Sequence, residues 1–225
     1  MSTRQKRDGV YVWVTWLPGL MVGSQSCEWA SWFKANYQYF EQAPSDFDSV
    51  AWNMNHTRLL RSLRQERVQA GEQVSYENQN RFTYRAPSGV VIGGIPDLVG
   101  LRPGGQGGTV YDAKTGRERD SDRVQVMIYM YLLPLANPNL RGVPLDGEVV
   151  YQNARFRIPA SAINAEFIEG FNHWLGILAS QEPATKVPSQ MECRFCNIAK
   201  SECPERIESE TPASQSETDN NAPLP

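Results

Sequence analysis

Runs of apolar residues change their spacing several times along the chain, and each change marks an element. "CEWASWFKANYQYF" (27–40) collects its aromatics on one helical face, and "SVAWNMNHTRLLRSLRQERVQAG" (49–71) is the clearest helix, closed by Gly71. The texture then becomes β-type. "VSYENQNRFTYRA" (74–86), "GVVIGGIPDLVGLRP" (89–103) and "TVYDAKTG" (109–116) read as three strands, the last two joined by a "PGGQGG" turn. A helix follows over "DSDRVQVMIYMYLLPLA" (120–136), then a strand over "DGEVVYQNARFRI" (146–158). The last element is an amphipathic helix over 159–181 with Pro159 at its entrance. Helix, helix, three strands, helix, strand, helix predicts an α/β fold with a sheet of mixed direction.

Length and composition narrow this further. With 225 residues, 40% of them hydrophobic and 21% charged, the chain suits one soluble domain with a sizeable core. It has no run of eighteen apolar residues, so no membrane span is expected. The tryptophan-rich opening with Pro18 lacks an Ala-x-Ala cleavage pattern, and a cytoplasmic protein is expected. The net charge of −3 belongs to the acidic tail; the 203 residues before Pro204 carry a net +1, which neither announces nor excludes nucleic acid. Residues 1–206 are expected to form one domain, and the polar, acidic 207–225 a disordered tail.

The chemistry is concentrated on the paired strands. Side chains alternate along a strand, so Asp112 and Lys114 share a face, and hairpin pairing brings Asp97 beside them. Burying an ionised carboxylate is costly unless a cation compensates, and a hard divalent ion such as Mg²⁺ does so through oxygen ligands. An amine beside such an ion suits phosphodiester cleavage, where it can orient a water or neutralise phosphate charge. A plain surface Asp–Lys pair is the alternative, since Asp-x-Lys alone recurs by chance.

The residues together carry more. Pro96-Asp97, then Asp112-Ala113-Lys114 on the next strand, resemble the signature of the PD-(D/E)XK nuclease superfamily. "GGIPDL" followed by "YDAKTG" is most similar to its RecB-like branch, and Gln125 and Tyr129 match that branch's Gln-x-x-x-Tyr, four apart on one helix face. His56, on a helix ahead of the sheet, stands where the family has a metal-binding histidine. The resemblance therefore implies a restriction-endonuclease-like mixed sheet flanked by helices. It implies Mg²⁺ or Mn²⁺ on His56, Asp97 and Asp112, with Lys114, Gln125 and Tyr129 completing the catalytic group. His173, the second histidine, is expected to be structural.

Four cysteines remain: Cys27, and Cys193, Cys196 and Cys203 in "CRFCNIAKSEC". By spacing they suit a tetrahedral zinc site or an iron–sulfur cluster, zinc being the commoner. One cysteine before the nuclease core and three after it is similar to the iron–sulfur RecB-like nucleases, which include AddB-type recombination nucleases and the fourth CRISPR-associated (Cas) family. That resemblance implies a [4Fe–4S] cluster joining the N- and C-terminal segments. It also implies a DNA exonuclease for single-stranded or frayed ends in CRISPR spacer acquisition, with CRISPR integrase proteins as partners. A recombination or repair nuclease, or an inactive zinc-stapled DNA-binding module, are the alternatives. Arg58, Arg61, Arg64 and Arg67 form a stripe that reads equally as a DNA contact or a solvated face, while Trp29, Trp32, Phe33 and Tyr37 are expected in the core.

Overall fold

A computed structural model describes residues 4–45 and 48–208, so all but the first two residues of the expected tail lie outside the described residues. The chain opens with two short strands, β1 (Gln5–Lys6) and β2 (Tyr11–Trp13), and the helix α1 (Pro18–Met21). Helix α2 (Glu28–Asn36) buries Trp29, Trp32 and Phe33, as the aromatic face foretold. It stops short of residue 40, because Tyr37–Gln38 (β3) leave the helix to pair with β1. Helix α3 (Ser49–Gln69) is capped by Asp48, whose side chain accepts the Ala51 N–H at 2.9 Å. It ends before Gly71, whose φ of 81° is the left-handed conformation glycine tolerates.

The strands number more than the sequence pattern suggests. The apolar text divides into β4 (Gln73–Tyr76), β5 (Phe82–Arg85), β6 (Val91–Gly94), β7 (Leu98–Leu101), β8 (Gly108–Ala113), β9 (Leu145–Val150) and β10 (Arg155–Ile158). What read as one strand over 74–86 is broken by a 3-10 turn, Glu77–Asn80, and β4 and β5 join different sheets. The 89–103 stretch is likewise split at Ile95–Pro96–Asp97. Proline lacks the N–H a ladder needs, and the chain changes sheets there. Residues 146–158 form a hairpin, β9 antiparallel to β10, rather than a single strand.

The larger sheet has the order β10-β9-β8-β7-β4, and the smaller β2-β6-β5. Pairing is antiparallel except between β8 and β9, which are parallel, and between β2 and β6. Helix α4 (Asp120–Ala136) makes the β8-to-β9 crossover, so the expected mixed sheet with one helical connection is present. A Cβ on Gly147 would lie 2.5 Å from Val126 and 2.6 Å from Met130, so glycine is what lets α4 lie against β9. On the opposite face Leu60 and Leu63 of α3 pack with Leu98, Tyr111 and Val150.

Helix α5 (Ala165–Ala179) begins later than Pro159. A 3-10 turn, Ala160–Ala162, comes first, and Asn164 provides the cap by accepting the Phe167 N–H at 2.9 Å. The short α6 (Gln190–Phe195) then brings the C-terminal segment back to the start of the chain. Glu192 accepts the N–H groups of Ser26 and Cys27 at 2.8 and 2.9 Å, and Gln42 bridges to Ile198. Among the described residues, no helix is long and apolar enough to cross a membrane.

Candidate active site

The turn before β7 positions the first acid. Asn80 Nδ2 donates to the carbonyls of Ser75 at 3.0 Å and Pro96 at 3.2 Å, and the Glu77 N–H donates to Asp97 O at 2.9 Å. With Leu98 opposite Tyr111 in the β7–β8 ladder, Asp97 falls beside Asp112, and its Oδ2 accepts the Ala113 N–H at 2.8 Å. Lys114 continues β8 through its own N–H bond to Val150 O at 2.8 Å, so its side chain returns to the Asp112 face. Its Nζ stands 2.6 Å from Asp112 Oδ2 and donates to Gln125 Oε1 at 3.2 Å. Gln125 Nε2 donates to Asp112 Oδ1 at 3.2 Å and to Tyr129 OH at 3.4 Å, and Tyr129 OH donates to Ile95 O at 3.5 Å. His56 approaches from α3, its Nε2 3.2 Å from Asp97 Oδ2.

Asp97, Asp112, Lys114, Gln125, Tyr129 and His56 are thus one linked group, drawn from α3, the turn before β7, β8 and α4. Its electrostatics centre on Asp112, 2% exposed. Burial pushes the Asp112 carboxyl up to about 6; the Lys114 ammonium opposes that shift and the neighbouring Asp97 adds to it. The close approach of Lys114 is an ion pair without hydrogen-bond geometry, and Asp112 Oδ2 is left buried with no hydrogen bond. For Lys114 itself, burial lowers the pKa, but the close charge of Asp112 outweighs it and the net shift is upward. The hydrogen bond with Asp97 raises the His56 pKa against burial. Tyr129 is pushed well above the usual phenol range, first by burial and then by the Asp112 charge, so it acts as a neutral hydroxyl.

The chain matches the PD-(D/E)XK nuclease superfamily over residues 27–204. It belongs to that superfamily. No curated protein matches it. The crystal structure of SSO0001 is similar at 18% identity with a TM-score of 0.49, covering 91% of this chain and 90% of that one, a likeness too slight to build on.

Two neighbours of the linked group, Asp122 beside Lys114 and Trp52 beside His56, escaped the sequence reading. Asp122 Oδ1 lies 4.0 Å from Lys114 Nζ, and Asp122 Oδ2 accepts the Tyr151 hydroxyl at 2.7 Å. Burial and that bond push Tyr151 up to about 12. Asp122 precedes Gln125 by three on α4, and that helical spacing was the available signal. Trp52 stacks on His56 with centroids 4.9 Å apart and planes 13° from parallel, and its i, i+4 spacing was likewise readable. His173, by contrast, is exposed on α5 with its ring edge-on to Trp174 and takes no part in this group. The arginine stripe also divides: Arg67 turns inward to Glu66, Glu72 and Tyr111, and Arg64 lies over the Tyr76 ring.

Three of the cysteines, Cys27, Cys196 and Cys203, come within electrostatic reach of one another where α2 meets the segment around α6. Cys27 caps α2, Cys193 lies in α6, Cys196 caps its C-terminus, and Cys203 feels the charges of Cys27 and Cys196. Lys34, on α2, is largely buried near Cys27 and Cys196; burial lowers its pKa and both thiols oppose the shift. Among the described residues, no three His, Cys, Asp or Glu side chains already form a metal cage.

Proposed function

We propose that this nuclease is a metal-dependent DNA exonuclease acting on single-stranded or frayed ends, with Asp97 and Asp112 as its principal metal ligands. The observation that carries the reading is Asp112 Oδ2: a buried carboxylate oxygen without a hydrogen bond, between a lysine and a second acid. Hard carboxylate oxygens with one imidazole suit Mg²⁺ or Mn²⁺, so the donor set fits the ion. His56 would assist through its ring nitrogen. When bound, the ion supplies polarisation of the phosphoryl group and a more acidic water.

The side chains account for the remaining roles. Lys114, held charged by Asp112, donates to the attacking water or to a phosphate oxygen. Gln125 ties Lys114 to Asp112 and fixes their relative position. Tyr129 supports Gln125 from below with a neutral hydroxyl. Asp122 gives Lys114 a second anion, limiting how far the ammonium can swing.

A [4Fe–4S] cluster on Cys27, Cys193, Cys196 and Cys203 is the second part of the proposal. What supports it is that Cys27, Cys196 and Cys203 interact electrostatically, with Cys193 on the adjacent α6 and the ammonium groups of Lys34 and Lys186 nearby; four thiolates with cationic neighbours are a donor type that fits an anionic cluster. Residues 1–206 then act as one domain closed by that cluster, with 207–225 as an appended tail. The setting that agrees best with this combination is spacer acquisition in CRISPR immunity, alongside integrase proteins, in the cytoplasm.

The test is anaerobic incubation with end-labelled single-stranded DNA and Mn²⁺, for the wild type and Lys114→Ala. Metal-dependent release of label by the wild type alone supports the exonuclease; cleavage that survives Lys114→Ala, or none from the wild type, overturns it.

A further inference from the structure

β8 and β9 run parallel with Ala113 opposite Val150, and the Lys114 N–H bond to Val150 O carries that register one residue further. Tyr151 therefore comes beside Lys114, and continued strand alternation sets its side chain on the face that carries Asp112 and Lys114. The ring is buried, edge-on to Phe156 at 6.0 Å. Its hydroxyl has two partners: it accepts the Arg119 N–H at 3.2 Å and donates to Asp122 Oδ2 at 2.7 Å.

Those partners belong to the start of one helix. Arg119 is the N-cap of α4 and Asp122 its third residue, positions that meet directly in a capping box, where the acid accepts the cap's N–H. Here the phenol stands between them. The helix alone would be served as well by Asp122 taking the Arg119 N–H itself. Instead Asp122 is held off its own helix start, with Oδ2 on Tyr151 and Oδ1 4.0 Å from Lys114 Nζ.

We propose that Tyr151 is a positioning residue for strand cleavage, its hydroxyl fixing Asp122 and, through Asp122, the place of Lys114. The inference rests on the nuclease reading and adds to it the group that keeps the ammonium in line. Asp112 and Gln125 contact that ammonium at 2.6 and 3.2 Å, whereas Asp122 acts over 4.0 Å, where charge reaches but no hydrogen bond does. A charge places a cation only as well as it is itself placed, and the Tyr151 bond stops the carboxylate from turning to Arg119. Burial and that bond push Tyr151 up to about 12, so the hydroxyl stays a donor in neutral solution. A reacting group displaced by about 1 Å can cost about a hundredfold in rate, so a small change in Lys114 is readable.

The competing role is structural, a phenol that only closes the start of α4. Tyr151→Phe keeps the ring and removes the hydroxyl. Asp122→Asn keeps an acceptor for that hydroxyl and removes the charge beside Lys114. Wild type, both single variants and the double variant would be compared in steady-state cleavage of an end-labelled single-stranded oligonucleotide with Mn²⁺. Mn²⁺ uptake and melting temperature would be read on the same preparations. Tyr151→Phe is expected to lower kcat about fivefold to fiftyfold, with KM and Mn²⁺ uptake within about threefold. Asp122→Asn should lose at least as much, and the double variant no more than Asp122→Asn alone, because the hydroxyl acts through that carboxylate. A Tyr151→Phe loss that persists undiminished in the Asp122→Asn background, or an unchanged kcat in either single variant, would overturn the inference while leaving the nuclease intact. A loss that follows melting temperature or KM instead of kcat would do the same. A wild type that cuts no oligonucleotide overturns both.

Discussion

In metal-free protein, Asp112 holds a charge where the surroundings resist it. Its carboxyl moves from the usual 3.8 to about 6, so between those values the folded state binds a proton that the unfolded state has released. Stability is therefore complete below about pH 4 and lost as pH rises through about 6. The loss amounts to roughly 3 kcal/mol at full ionisation, and Asp112 is buried deeply enough that solvent screening does not reduce it. Asp112→Asn removes this dependence; below the transition Lys114 faces a neutral side chain in both proteins, and the ion pair formed above it is already contained in the value of about 6. The informative quantity is therefore the change with pH in the difference between the two proteins.

From pH 4.5 to 8 about 2 kcal/mol of that loss is traversed, so thermal unfolding in a chelator should move the difference by about 4–8 °C in favour of the variant for a chain of this size. His56 shifts in the same sense, since its raised pKa gives stability that is complete below its unfolded value and fades as pH rises past the folded one. It is present in both proteins and cancels to first order. If Asp97 and Asp112 hold the ion as proposed, Mn²⁺ should recover the wild type at high pH and leave Asp112→Asn almost unchanged. A wild-type-minus-variant difference that is flat with pH would refute the argument that burial of Asp112 drives metal recruitment.

Three further outcomes follow from the geometry. Gln125→Ala breaks the bridge between Asp112 Oδ1 and Lys114 Nζ and should lower kcat by about tenfold or more with little change in melting temperature, read from steady-state cleavage. Gly147→Ala forces a methyl against Val126 and Met130 and should cost about 1–3 kcal/mol in urea unfolding. Cys203→Ser should abolish bound iron, labile sulfide and visible absorption together; a colourless wild type holding zinc instead would remove the iron–sulfur part of the proposal.

The sequence made the chemistry more legible than the topology. Asp97, Asp112 and Lys114 could be placed because strand alternation and one hairpin register suffice to bring them together, and the structure keeps that register. Gln125 and Tyr129 followed from helical spacing on α4, whose bounds the apolar pattern gave to the residue. The division of 74–86 and 89–103 between two sheets was hidden, because β-type residues signal extended chain but not its partner. Only Pro96 and the left-handed Glu77, φ 41°, mark where the chain leaves one sheet for another. Asn80, which holds the Pro96 turn from sixteen residues upstream, has no local signature at all. Arg67 was misplaced for a related reason: its helical spacing is that of a solvated stripe, whereas Glu72 and Tyr111, which draw it inward, arrive from β4's approach and from β8.

Titration of Mn²⁺ by electron paramagnetic resonance, which reads the free ion directly, tests the metal site with the fewest intervening assumptions. The wild type should remove Mn²⁺ from solution, and Asp97→Asn and Asp112→Asn should each weaken that uptake by at least tenfold while remaining folded. Equal uptake by all three proteins would mean that these carboxylates do not hold the ion, and the assignment of the site would fail.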